Sequence, residues 1–307
     1  MKSTAKKSQR WLGLLPHVMV SLLAILLSKS LFAEQQTPTV KAAGISTDHS
    51  DKNPLWAVCY ACQPRWQDIS DYHLLVLDPD NRPNLKMLRQ QGSTVLGYIS
   101  LGEIHNGRHY FQKAKQAGWL LKPNPNWQGS YLVDQRNPDW GSLVIEELIP
   151  NILSQGFDGI FIDTVDSSIH LEATQPNKYA GTNHAAIELI QAIRRHYPNI
   201  KIMLNRAFSL LDSVAEHIDY SLSESLISRY NFATEDYEWV PSSEYKPILK
   251  QLDLISQQHP DLVFYSLDYW QPTDTATMKK IYRMQKKHGF LPYVATVELN
   301  QFIKQHP

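Results

Sequence analysis

Gly156-Phe157-Asp158-Gly159-Ile160-Phe161-Ile162-Asp163-Thr164-Val165-Asp166 is the stretch that decides how this chain folds. Just upstream, residues 138–155 are amphipathic, begin at Pro138 and stop at Gly156, as a helix opened by proline and closed by glycine would. A short apolar run follows, and then two acids three residues apart. Helix, glycine, strand, carboxylate is how an α/β protein presents a charge at the C-terminal end of a parallel strand. Alternation along a strand puts Phe161 and Asp163 on one face. The competing reading, the lesser of the two, is that Asp163 caps the helix that comes next.

The same alternation continues in both directions. Strand-like runs fall at 55–60, 73–77, 94–100, 160–163, 200–205, 220–224, 262–268 and 291–296. Helical spacing falls at 82–91, 107–117, 138–155, 183–197, 210–217, 242–258 and 273–288. Residues 131–133 read as a short extra strand, and 119–127, 167–181 and 230–240 as irregular loops. Eight strand–helix units over roughly 250 residues predict an α/β fold, a single (β/α)8 TIM barrel spanning 54–307. An open doubly wound sheet would carry a glycine-rich phosphate turn after its first strand, and Cys62-Gln63-Pro64-Arg65-Trp66 stands there instead.

The chain has 307 residues, 43% of them hydrophobic, enough for one large core or two small ones. Its 30 basic and 30 acidic residues are unevenly placed. Residues 1–33 hold Lys2, Lys6, Lys7, Arg10 and Lys29, an apolar run and no acid, which reads as an export signal or, if retained, a membrane anchor. A polar linker at 34–53 would follow. An exported protein, periplasmic or secreted, is therefore expected, with membrane contact only if that segment stays. Without it the chain has 25 basic residues against 30 acidic, the wrong sign for a nucleic-acid binder. Cys59 and Cys62 lie at the end of a strand rather than at the start of a helix, so a structural disulfide or two packed thiols is favoured over a redox site. His105 and His109 have i,i+4 spacing but flank Gly107 and belong to no HExxH motif, so neither a metal nor a cofactor is expected.

In a parallel barrel the C-terminal strand ends converge on one mouth. Those ends carry Tyr60, Asp78, Tyr98 with Glu103 beyond it, Asp163 and Asp166, Asn205 and Arg206, Glu224, and Asp268 with Tyr269 and Trp270. Acids at matching depth would crowd like charges unless they serve a site. Two carboxylates on different strands, with no Ser-His pair or cofactor motif, suit glycoside hydrolysis. Asp163 and Glu224 are the expected catalytic pair. Tyr60, Asp78, Tyr98, Glu103, Asp166, Asn205, Arg206, Asp268, Tyr269 and Trp270 are the expected substrate contacts. Trp66, Trp119, Trp127, Trp239 and Trp270 fall in or near loops after strands, where indole faces can pack on sugar rings or simply bury. The strand-end acids also predict an acidic mouth able to attract a cationic polymer.

Tyr98-Ile99-Ser100-Leu101-Gly102-Glu103, the Gly156–Ser167 stretch, Asn205-Arg206-Ala207-Phe208, Glu224-Ser225-Leu226 and Leu267-Asp268-Tyr269 resemble the endo-α-1,4-polygalactosaminidases, and in particular the hydrolase domains of Pel exopolysaccharide hydrolase/deacetylases. The resemblance covers about Trp56 to Glu298. It implies a (β/α)8 barrel that cuts α-1,4-linked galactosamine or N-acetylgalactosamine polysaccharide, with Asp163 and Glu224 matching the catalytic acids. Ala207 departs from the glycine expected in the Asn-Arg-Gly-Phe motif. The competing expectation is a barrel of the envelope or biofilm matrix that binds polysaccharide without cutting it.

Overall fold

A computed structural model describes residues 54–62, 69, 71–81 and 84–305. The expected export signal, the linker and Trp66 lie outside the described residues. The chain begins with β1 (Leu55–Cys59) and β2 (Tyr72–Leu77), then α1 (Leu85–Gln90) and β3 (Thr94–Ser100). An excursion follows: β4 (Glu103–His105), α2 (Phe111–Gln116), β5 (Leu120–Pro123) and β6 (Ser130–Val133). Next come α3 (Pro138–Leu143), α4 (Ile149–Ser154), β7 (Gly159–Asp163), α5 (Asp166–Thr174), α6 (Pro176–Tyr179), α7 (Thr182–His196) and β8 (Lys201–Asn205). The last third holds α8 (Leu211–Val214), β9 (Tyr220–Glu224), β10 (Ser228–Asn231), β11 (Asp236–Trp239), α9 (Ser242–Gln258), β12 (Val263–Tyr269), α10 (Thr275–Lys287) and β13 (Leu291–Ala295).

Eight of these strands form one sheet in the order β1-β2-β3-β7-β8-β9-β12-β13, with every neighbouring pair parallel. This is the expected (β/α)8 barrel. The junction between β13 and β1 is tied by other bonds: the Trp56 indole donates to the Leu291 carbonyl at 2.8 Å, and Tyr60 N to the Leu299 carbonyl at 2.8 Å. The Gln305 side-chain amide donates to the Trp56 carbonyl. Inside the ring, Tyr265 packs edge-on against Trp56 and Tyr220 and accepts or donates a 2.9 Å hydrogen bond with His73. Burial pushes the His73 imidazole down to about 4, so it stays neutral there.

Two glycines explain how the opening stretch packs. Gly156 takes φ +99° after α4, a conformation L residues avoid. At Gly159 a side-chain carbon would sit 1.9 Å from the Lys201 carbonyl oxygen, so only glycine lets β7 lie against β8.

Four readings of the sequence are corrected. Residues 138–155 are not one α-helix: a π-helical segment, Val144–Leu148, separates α3 from α4. Pro150 follows two residues after it, and its ring and missing N–H break the regular ladder. The expected loop at 167–181 is mostly helical. Only Ser168 and Leu171 of α5 turn inward, which leaves no apolar stripe to see. The expected loop at 230–240 carries most of an antiparallel hairpin, β10 with β11, and the expected irregular stretch 119–127 contains β5, which pairs with β6. Cys59 and Cys62 form a disulfide.

Candidate active site

The register of the sheet sets the depth of each side chain at the mouth. Asp163 lies opposite Ser100, and Glu224 opposite Leu267. Between them stands Asn205 at the end of β8, 3% exposed. Its Nδ2 donates to Asp163 Oδ1 at 2.9 Å and to Glu224 Oε2 at 2.5 Å. The nearest oxygens of the two carboxylates therefore lie within about 5.4 Å of each other.

Each carboxylate has its own tyrosine. The Tyr98 hydroxyl donates to Asp163 Oδ2 at 3.0 Å, and the Tyr269 hydroxyl to Glu224 Oε1 at 2.6 Å. Tyr60 stacks edge-on against Tyr98 at 4.8 Å. Burial, with the nearby carboxylates second, pushes all three phenols up, so they remain donors. Thr164 N adds a third bond to Asp163, at 2.8 Å. Burial and then the neighbouring charge of Glu224 push the Asp163 carboxyl up to about 7, against the pull of Asn205 and Thr164.

The backbone is strained where these groups are presented. Thr164 (φ 63°), Arg206 (φ 56°) and Ser225 (φ 56°) directly follow Asp163, Asn205 and Glu224. Ala207 continues in the same left-handed region at φ 48°. That accounts for the glycine expected at this position, since an L residue there costs about 1–2 kcal/mol.

Other strand-end groups are held by ion pairs and hydrogen bonds around the pair. Asp78 binds Arg108 through both carboxylate oxygens at 2.9 Å, and Asp80 binds the same guanidinium at 2.7 Å. Arg108 in turn lies over the Tyr98 ring, 5.3 Å from its centre. Glu103, 7% exposed, accepts from Asn124 Nδ2 at 3.0 Å and Ser167 Oγ at 2.8 Å, which ties the β5–β6 loop to α5. Asp166 pairs with Arg206 at 3.1 Å. Trp270 is partly exposed, its indole donating to Asp274 at 3.1 Å. Arg108 and Thr164 were not visible as site residues in the sequence. The partners of Arg108 lie about thirty positions away, and Thr164 acts through its backbone.

Asp268 requires a correction. It is wholly buried and cannot meet a sugar. Its Oδ1 accepts from Ile227 N and Ser228 N, both at 2.8 Å, and its Oδ2 from Gln285 Nε2 at 2.5 Å. Burial pushes its carboxyl up to about 6. It clamps the turn that follows Glu224, and Tyr269, one residue on, faces the axis instead. Asp268→Ala would strand two buried N–H groups and is expected to cost at least about 2 kcal/mol in denaturant unfolding. Asp268→Asn, which keeps an acceptor oxygen, should cost less than half as much. The acidic mouth also needs revision. Asp78 and Asp80 face Arg108, Asp166 faces Arg206, and Glu238 and Glu244 face Arg229, so much of the charge is offset locally.

An eight-stranded parallel barrel that opens onto a bridged carboxylate pair has the architecture of a glycoside hydrolase. The chain belongs to glycoside-hydrolase family GH114, whose model matches residues 37–306. It is similar to an uncharacterized protein of Deinococcus radiodurans, 25% identical over 250 residues that cover 78% of this chain and 77% of the relative. Its fold is similar to the glycoside hydrolase domain of PelA from Pseudomonas aeruginosa, with 22% identity, 80% of this chain and 96% of that one covered, and a TM-score of 0.71. Aspergillus fumigatus Ega3, solved in complex with galactosamine, is similar at 15% identity, with 88% and 97% covered and a TM-score of 0.63.

Proposed function

We propose that this hydrolase is exported and cuts α-1,4-linked galactosamine or N-acetylgalactosamine polysaccharide internally, with retention of configuration. The observation that carries the mechanism is the Asn205 amide touching both carboxylates. A gap within about 5.4 Å leaves no room for the water an inverting enzyme holds between acids about 6.5–9.5 Å apart. The substrate rests on the polygalactosaminidase-like motifs and on the galactosamine bound to Ega3. Export rests on the character of residues 1–33.

Asp163 is the nucleophile and Glu224 the acid/base. Three donors, Tyr98, Thr164 N and Asn205, fix Asp163 in one orientation and favour its anion. Glu224 is the proton donor of the first step. It passes that proton to the glycosidic oxygen as the C1–O bond breaks and Asp163 bonds to C1. Glu224 then takes a proton from water, which attacks C1 and frees Asp163. With Glu224 protonated, its charge no longer opposes ionisation of Asp163. The two groups therefore share one proton between them.

Incubation with purified galactosamine polymers of graded acetylation, with the products sized, tests the activity. Progressive shortening to mid-length fragments is expected. Tight binding with no shortening would instead favour a barrel that only holds polysaccharide. Asn205→Ala tests the bridge. Removing a donor that holds the Asp163 carboxyl down should move the acidic limb of the pH–rate profile upward by about one unit. An unmoved limb would show that the amide has no part in setting Asp163.

A further inference from the structure

Among the described residues, four large apolar side chains stand exposed: Trp127 (49%), Phe232 (41%), Trp239 (37%) and Leu254 (53%). The three aromatic ones belong to one unbroken series of ring contacts. Trp127 meets Phe232 at 5.3 Å between ring centres, and Phe232 meets Tyr230 at 5.2 Å. Tyr230 meets Tyr237 at 5.2 Å, Tyr237 meets Trp270 at 6.3 Å, and Trp270 meets Trp239 at 5.3 Å. Trp270 follows Tyr269 in the chain, and Tyr269 holds Glu224. Trp270 stands just past the C-terminal end of β12, so the series is rooted at the same end of the barrel as the carboxylate pair.

Its outermost contact, Trp127 with Phe232, joins two different insertions. Trp127 sits in the β5–β6 loop, part of the excursion after β3. Phe232 sits at the turn between β10 and β11, part of the excursion after β9. Between β3 and β9 in the sheet stand β7 and β8, which carry Asp163 and Asn205. The Glu103 bonds to Asn124 and Ser167 fix the Trp127 loop beside the start of α5, just beyond the end of β7. The Asn231 side chain, which accepts from Ala233 N at 2.9 Å, shapes the turn that carries Phe232. Both rings are therefore held in place while more than a third of their surface faces water.

Mutual packing alone does not call for that exposure, and contiguous exposed apolar surface of this kind marks a binding face. The rings are interleaved with polar groups: the Tyr237 hydroxyl accepts from Val297 N, and the Trp270 indole donates to Asp274. Flat apolar faces edged by hydrogen-bonding groups match a pyranose, which has a C–H face and a rim of hydroxyls. A lipid or a protein partner would not need the series to be rooted at the mouth that holds the carboxylate pair; a polysaccharide lying across that mouth would.

We propose that this aromatic series is a polysaccharide-binding track outside the catalytic pair. It takes sugar units remote from the cleaved bond by their apolar faces, with Trp127 and Phe232 forming its outer end. The proposal rests on the glycosidase reading of Asp163 and Glu224. Remote contacts that are equal in ground and transition states lower KM for long chains and leave kcat alone.

The test uses the full chain with Trp127→Ala, Phe232→Ala and the double variant, on long galactosamine polymers and on short oligomers of the same sugar. For the double variant, KM on the long polymer should rise by about tenfold or more with kcat within twofold. Kinetics on the short oligomers should change by less than twofold. With Glu224→Gln added, retention of the long polymer in affinity electrophoresis should weaken in parallel. Each single variant trims a ring already more than a third exposed, so the singles keep the test readable if the double variant unfolds. Unchanged KM on the long polymer, or equal losses on long and short substrates, would overturn the track and leave the catalytic assignment standing. Failure of the wild type to cut any of the polymers would overturn the catalytic reading and, with it, the track.

Discussion

Glu224→Gln should lower turnover on polysaccharide by at least about 10²-fold, the usual loss when a positioned acid–base group is removed. The substitution keeps the shape of the side chain and an oxygen for the Tyr269 hydroxyl, so the fold should survive. The informative arm is a substrate whose leaving group needs no proton, such as a nitrophenyl glycoside of the same sugar. There the first step should be nearly unaffected, because the missing group only protonates the departing oxygen. A rapid first step followed by slow release of the glycosyl enzyme is the expected pattern, read as a burst of nitrophenolate. Polymer activity within threefold of wild type would remove Glu224 from the mechanism.

Asp163→Asn should abolish turnover on both kinds of substrate, since no leaving group, however good, replaces a nucleophile. Asp166, paired with Arg206 beyond the end of β7, should behave differently: Asp166→Asn is expected to keep measurable turnover. The reverse ranking would show that the wrong carboxylate has been chosen. Asp163→Asn also has a signature in stability. The Asp163 carboxyl is raised from 3.8 to about 7 in the folded protein, so the folded state binds the proton more tightly than the unfolded chain. The stabilisation this gives is complete below pH 3.8 and is lost as pH rises through about 7. Asparagine does not titrate. The stability difference should therefore shift in favour of the variant between about pH 4 and pH 7, and stay level above that range. A pH-independent difference in denaturant midpoints would mean that Asp163 is not the group carrying the strain.

The barrel was legible because its strands are short apolar runs bounded by turn residues. The expected strands at 94–100 and 220–224 coincide with β3 and β9, and 160–163 misses β7 only by Gly159. The hairpin of β10 and β11 was hidden because its strands, Ser-Arg-Tyr-Asn and Asp-Tyr-Glu-Trp, are polar and aromatic without an apolar core face. α5 was hidden for the opposite reason, having almost no periodic face at all. At the mouth, Asp163, Glu224, Asn205, Tyr98 and Tyr269 could be placed together because parallel strand ends must converge. Asp268 could not join them. Consecutive strand residues point to opposite faces, so Tyr269 facing the axis sends Asp268 outward toward Gln285. Applying that parity along 262–269 would have separated them from sequence. Arg108 had no such handle, because nothing near it in the chain announces that Asp78 and Asp80 will fold against it.

The left-handed residues behind Asp163, Asn205 and Glu224 set durability against speed. A screen for heat resistance would be drawn to glycine at Thr164, Arg206 and Ser225, since each exchange relieves about 1–2 kcal/mol of backbone strain. A glycine would also release the side chain just before it, and the bridging amide can touch both acids only while all three strand ends hold still. Breeding this enzyme for a long working life would therefore wear away its active site first, beginning at the turns directly behind its catalytic side chains.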